Sequence, residues 1–67
     1  MYNPTPTAEA LLRAAHHLFA RFGYDGTSVR AITREAGSNL GAVTYHFGSK
    51  EALYDSVLVA ANDAVDE

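Results

Sequence analysis

At 67 residues the chain has room for one small domain with a modest core, and a hydrophobic content of 48% with no cysteine excludes a disordered tail, a disulfide framework and a thiolate metal site. The net charge of −3 is unevenly spread: Met1 to Arg34 carries Arg13, Arg21, Arg30 and Arg34 against Glu9 and Asp25, whereas beyond it only Lys50 opposes Glu35, Glu51, Asp55, Asp63, Asp66 and Glu67. No apolar run approaches the roughly 20 residues of a membrane span, and Met1 to Thr7 lacks the basic and apolar parts of a signal peptide, so the expected location is the cytoplasm, with no membrane partner.

Residues 1–6, with Pro4 and Pro6, read as a flexible arm, because each proline disfavours helix in the residue before it. From about Thr7 the positions Leu11, Ala15, Leu18, Phe19 and Phe22 follow one helical face, and Gly23 is a natural stop. After a turn at Tyr24, Asp25 and Gly26, Thr27 or Ser28 caps a second helix with Val29, Ile32 and Ala36 apolar, ended by Gly37. Ser38 or Asn39 then caps a short third helix carrying Leu40, Val43 and Phe47 inward, closed by Gly48. Ser49 caps a fourth, whose core face is Leu53, Val57, Ala60, Ala61 and Ala64. Val57 to Ala61 are apolar without interruption, so a second domain or a partner subunit is expected to cover the side turned away from helices one to three. The expected fold is all-α: residues 7–48 form a three-helix bundle, and residues 49–67 begin a longer fourth helix leading to a domain absent from this chain.

Helices two and three, joined at Gly37, have the form of a helix-turn-helix, in which two helices meet steeply across a short turn. Ile32 and Ala36 must pack on Val43, and Gly37 can take the left-handed backbone that such a turn demands. Helical hairpins with glycine turns also build plain bundles, so spacing alone leaves both readings open.

The literal residues are more specific. Leu18-Phe19-Ala20-Arg21-Phe22-Gly23-Tyr24-Asp25-Gly26-Thr27-Ser28-Val29-Arg30-Ala31-Ile32, then Glu35-Ala36-Gly37, then Asn39-Leu40-Gly41-Ala42-Val43-Thr44-Tyr45-His46-Phe47-Gly48-Ser49-Lys50-Glu51-Ala52-Leu53, together resemble the amino-terminal domain of TetR-family (tetracycline-repressor-like) regulators. The resemblance covers roughly residues 8 to 60. It implies a dimeric, ligand-responsive transcriptional repressor that meets a palindromic operator in double-stranded DNA. It also implies that a carboxy-terminal domain outside this chain forms the homodimer and binds a small-molecule inducer. Position by position, it places Thr27 and Ser28 at a phosphate, Arg30 at a phosphate or base edge, and Asn39, Leu40, Gly41, Ala42 and Thr44 on the groove-facing side of the recognition helix. Tyr45 and His46 become that helix's aromatic end, and Lys50 the lysine that meets a phosphate. Three departures qualify the match: Ser38 stands where an apolar residue commonly seals the turn, Thr33 where alanine commonly packs, and Thr44 where tyrosine commonly meets phosphate, a contact that Tyr45 could supply instead.

Plainer roles compete at several of these positions. Asn39 suffices as a helix cap, His46 as a packed aromatic, Lys50 as a solubilising charge, and Arg13, Arg21 and Arg34 as surface residues paired with neighbours such as Glu9 or Glu35. His16 and His17 are adjacent, hence about 100° apart around a helix, and cannot readily share a metal ion. No nucleophile with a base, glycine-rich phosphate loop or carboxylate pair suggests an enzyme, and no cofactor is expected. The alternative from another class is a helical protein-interaction module that docks through the apolar face of helix four.

Overall fold

A computed structural model of the chain describes residues 5–65, with side-chain surroundings to Asn62. Its elements are four helices: α1 (Pro6–Phe22), α2 (Val29–Ala36), α3 (Ala42–Phe47) and α4 (Lys50–Val65). Residues 1–4 of the expected arm lie outside the described residues. The helix starts one position earlier than the apolar spacing suggests, because Pro6 occupies its first turn, where a missing N–H costs nothing, and Thr5 accepts a hydrogen bond from the Ala8 N–H at 3.1 Å.

α1 buries Ala8, Leu11, Ala14, Ala15, Leu18 and Phe19, so its inner face contains two alanines, Ala8 and Ala14, that the expected stripe omits. Phe22, expected inward, is 55% exposed. α1 ends there, and the chain reverses so tightly that a Cβ on Gly26 would lie 2.2 Å from the Phe22 carbonyl oxygen. The Phe22 ring is left outside, with the Arg21 guanidinium 5.5 Å from its centroid.

The core unites Leu11, Ala14, Ala15, Leu18 and Phe19 of α1 with Ile32 of α2, Ala42 and Val43 of α3, and Leu53 and Val57 of α4. α1 packs against α2 and α4, and α3 packs against α4. Leu11, Ile32, Val43 and Leu53 are the largest fully enclosed side chains, one from each helix, so each helix contributes a knob to the same interior. Phe19, Tyr24 and Tyr54 add an aromatic cluster: Phe19 and Tyr24 stack at 5.8 Å, and Tyr54 meets each edge-on at 5.0 Å. On the outer surface His17 Nδ1 lies 2.6 Å from Glu35 Oε2, linking α1 to α2.

The α2 to α3 connection has the geometry expected of Gly37, which adopts φ 72° and ψ 27°. Its N–H donates to the Arg34 carbonyl and the Ser38 N–H donates to the Thr33 carbonyl, the paired closure of a Schellman motif. Thr33 is buried, and its hydroxyl donates to the carbonyls of Val29 and Arg30. The polar atom is thus satisfied within its own helix, at the position where the resemblance leads one to expect alanine.

α3 is shorter than expected. Neither Ser38 nor Asn39 caps it: the residue before its first turn is Gly41, with no side-chain cap, and Asn39 instead offers its carbonyl to the Ala42 N–H across a tight turn. α4 is capped as its sequence implies, by Ser49 Oγ accepting from the Ala52 N–H at 3.0 Å. Leu58 and Val59 are 46% and 60% exposed, so the apolar run leaves an uncovered face beyond Val57. None of the helices is long and apolar enough to cross a membrane among the described residues.

Candidate nucleic-acid interface

Two hollows organise the polar surface. The first, about 560 Å³, opens between the start of α1 and the α2 to α3 connection, and Asn39, Gly41, Tyr45 and His46 border it with Thr7 and Ser38. The second, about 370 Å³, lies at the start of α2 and is bordered by Ser28, Ala31 and Lys50 beside Phe22 and Asp25. Residues far apart in sequence are therefore neighbours in two groups.

Around the first hollow, Asn39, Leu40, Gly41, Thr44 and Tyr45 are all exposed, Leu40 by 50% and Tyr45 by 84%. Such exposure of a leucine and a tyrosine beside a fully buried Val43 gives α3 and its lead-in turn one face anchored in the core and one offered outward. His46 is half-buried and meets Tyr45 edge-on at 4.8 Å, so its ring is held as an aromatic neighbour. Leu40, expected inward by helical spacing and outward by resemblance, is outward. Asn39, Leu40 and Gly41 belong to the turn, and the outward helical part is carried by Thr44 and Tyr45. Ala42 also borders the first hollow, but it is 8% exposed and part of the core, so it offers far less surface than its neighbours.

Around the second hollow, Thr27 and Ser28 separate into different roles. Thr27 is 3% exposed, and its hydroxyl donates to the carbonyls of Leu18 at 3.0 Å and Gly23 at 2.9 Å. The Leu18 carbonyl lies in the last full turn of α1 and Gly23 is the residue that caps it, so one hydroxyl ties the end of α1 to the start of α2. Thr27 therefore locks the turn and has no hydroxyl to give to a phosphate, contrary to expectation. Ser28 is exposed and its Oγ accepts from the Ala31 N–H at 3.0 Å. That bond uses a lone pair and leaves the hydroxyl proton free to donate outward. Arg30 is exposed in the first turn of the same helix, next to the positive end of the helix dipole.

Thr27→Val separates the two roles experimentally. It removes the one hydroxyl that bridges the Leu18 and Gly23 carbonyls, and stability should fall by about 0.5–1.5 kcal/mol, read from denaturant unfolding. The salt dependence of DNA association should stay at its starting slope, and a flatter slope would restore Thr27 to the phosphate contacts.

Lys50 closes the second hollow. It is half-buried, and its Nζ lies 4.1 Å from the centroid of the Tyr24 ring. The Tyr24 phenol is pushed above its ordinary pKa, chiefly by desolvation and further by the negative charges of Glu51, Asp25 and Asp55, so it stays a neutral ring under the ammonium.

Thr7 and Ser38 are not among the expected contact residues, yet both border the first hollow. Thr7 reaches it because the start of α1 lies beside the α2 to α3 connection, a juxtaposition that no local pattern signals. Among the described residues no group of three or more His, Cys, Asp or Glu could hold a metal ion.

Comparison with known proteins places this arrangement. Residues 11–57 match the family described as bacterial regulatory proteins, tetR family. The HTH-type transcriptional repressor AcnR of Corynebacterium glutamicum is 38% identical over 61 residues, covering 91% of this chain and 31% of AcnR. The HTH-type transcriptional regulator RutR of Escherichia coli is 44% identical over 50 residues, covering 75% of this chain and 24% of RutR. Among solved structures, a crystal structure of a mutant HlyIIR protein with a linker substitution aligns with a TM-score of 0.78 at 41% identity, covering 81% of this chain and 30% of that one. The chain thus spans about a third or less of the relatives it matches. An all-helical fold among the described residues with a left-handed glycine between α2 and α3, relatives more than a third identical over most of the chain, and a family match that runs from the core of α1 to Val57 of α4 lead to one assignment: the chain belongs to the TetR family of bacterial regulatory proteins.

Proposed function

We propose that this chain is the DNA-binding head of a dimeric, ligand-responsive transcriptional repressor, reading double-stranded DNA with the face formed by Asn39, Leu40, Gly41, Thr44 and Tyr45. The observation that carries the reading is the placement of that exposed face on a turn and helix whose opposite side, Ala42 and Val43, is locked into the core. A major groove is wide enough to admit an α-helix, and a rigidly backed short helix meets base edges without having to be ordered first. Asn39 and Thr44 supply hydrogen-bonding groups, while Leu40 and the Tyr45 ring offer apolar contact to thymine methyl groups. Ser28, Arg30 and Lys50 would hold the sugar-phosphate backbone, fixing the register in which the bases are read.

The net charge of −3 is compatible with this role because the cations are placed rather than numerous. Affinity from one head is then low, and a second head supplied by a dimer becomes necessary. Two heads would meet a palindromic operator in major grooves about 34–36 Å apart, or a multiple of it. Repression would follow from occlusion of a promoter. An inducer held by a companion domain would release the DNA by changing the spacing of the heads. The exposed Leu58 and Val59 suit cover by such a domain. A cytoplasmic location, where DNA and inducer are both accessible, fits this reading.

Salt dependence tests the proposal. Association with DNA should weaken as salt rises, and Lys50→Ala should reduce the log–log slope by about 0.9 through loss of one phosphate contact. The same exposed α4 face could serve a protein-interaction module, which would show no salt-dependent DNA association and no effect of Lys50→Ala on it.

A further inference from the structure

We propose that Tyr24 is a positioning residue for DNA binding, its ring holding the Lys50 ammonium at the mouth of the hollow that Ser28 borders. The inference rests on the reading of Lys50 as a phosphate-binding group. The Lys50 Nζ lies 4.1 Å from the Tyr24 ring centroid, well inside the range of about 6 Å in which an ammonium is drawn to the negative face of an aromatic ring. The ring is itself fixed, stacked on Phe19 at 18° between planes and met by Tyr54 at 68°. A lysine side chain otherwise loses rotamer freedom when it meets a phosphate; here that loss is incurred in folding, before DNA arrives.

The alternative partners for Lys50 make the ring's role specific. Asp25, Glu51 and Asp55 are near enough to Tyr24 to act on its charge state, and Glu51 adjoins Lys50 in sequence. Yet among the described residues no carboxylate lies within salt-bridge distance of the Lys50 ammonium. Lys50 rests on a neutral ring surface instead of a carboxylate. A lysine bound to a carboxylate would have to break that pair to reach a phosphate, whereas an ammonium over a ring keeps donors available on its outer side. Lys50 and Ser28 border the same hollow, so the held cation and the free serine proton converge on one place.

The test replaces Tyr24 by phenylalanine and by phenylalanines carrying successively more ring fluorines, which weaken the negative face while nearly preserving shape. Each is made in the wild-type and Lys50→Met backgrounds, and affinity for a mixed-sequence duplex of about two helical turns is measured at low salt, where phosphate contacts dominate. With Lys50 present, Tyr24→Phe should bind like wild type, and affinity should fall stepwise with fluorination to about three- to ten-fold below it. With Lys50→Met the series should be flat. Equal losses in both backgrounds, or no loss in either, would overturn the positioning role. In the DNA-free protein, the Lys50 side-chain methylene protons should show upfield ring-current shifts that Tyr24→Leu removes, and ordinary shifts in the wild type would overturn it too. If the wild type bound no DNA, the phosphate reading of Lys50 would fall first and this inference with it, an outcome distinct from DNA binding that ignores the ring.

Discussion

Gly41→Leu should lower affinity for a cognate duplex by about 10- to 100-fold, the scale of one lost base-pair contact, while leaving the fold as stable as before. Both halves follow from the same geometry. Gly41 has φ −76° and ψ −6°, a backbone that any residue adopts, and a Cβ added there meets only Asn39 Oδ1 at 3.9 Å. Leucine gains about 0.5–1 kcal/mol in helix propensity over glycine and loses a similar few tenths to one kcal/mol as a poorer residue at the helix boundary, so the net change is small. The new side chain projects from the face with Asn39, Leu40 and Thr44, where the glycine otherwise lets the backbone approach a base edge. Thermal unfolding and fluorescence anisotropy on one sample measure both quantities. Unchanged binding would mean that DNA does not meet this face.

Ile32→Ala should cost about 2–5 kcal/mol, a large share of the stability of a domain this small, for which about 0.05–0.15 kcal/mol per residue is usual. Ile32 is fully enclosed and shares the core with Val43, so its side chain sets how α3 stands on α2. Few surrounding groups could collapse into the space, since the nearby Ala36 and Ala42 are already at minimal size. Ile32→Val should cost only about 0.5–1.5 kcal/mol and retain DNA binding. If Ile32→Ala unfolded with the same midpoint as wild type, the enclosed joint between α2 and α3 would be wrong.

Most of the fold is legible in the sequence, because its signals are local. Leu11, Ala15 and Leu18 recur at helical spacing; Gly37 sits where a left-handed residue is needed; Ser49 precedes an apolar run as a cap should. The boundary of α3 is not legible, since Asn39 looks like a cap by type and only the turn bond from Ala42 shows that the chain has not yet begun to wind. Thr27 and Ser28 are equivalent as cap candidates on paper. What separates them is the return of the chain onto the end of α1, which encloses the first hydroxyl and exposes the second. Ala42 illustrates the same limit: Asn39, Leu40, Gly41 and Thr44 are exposed, but the helix begins two or three positions later than the expected caps imply, and Ala42 at its first position is largely enclosed. Phe22 keeps the spacing of the stripe but is the last residue of α1, where the chain reversal leaves its ring outside. The aromatic support of Lys50 joins Phe19, Tyr24 and Tyr54 from three segments and has no signature in spacing at all.

The exposure of the candidate interface is more legible than its details. Of the sequence-derived contact residues, Ser28, Arg30, Asn39, Leu40, Gly41, Thr44 and Tyr45 are exposed, and His46 and Lys50 are half-buried at the rims of the two hollows. Thr27 and Ala42 are the two whose side chains are buried. Thr7 and Ser38 join the first hollow through tertiary packing, where a sequence pass sees only a helix start and a turn.

Selection of bound duplexes from a random DNA pool, with the chain in its full-length context, tests the central claim most directly. The account predicts enrichment of a palindrome whose half-sites lie about one helical turn, 34–36 Å, or a multiple of it apart, and loss of that enrichment with Gly41→Leu. A pool that emerges without an enriched palindrome, or one whose enrichment Gly41→Leu leaves intact, would contradict it.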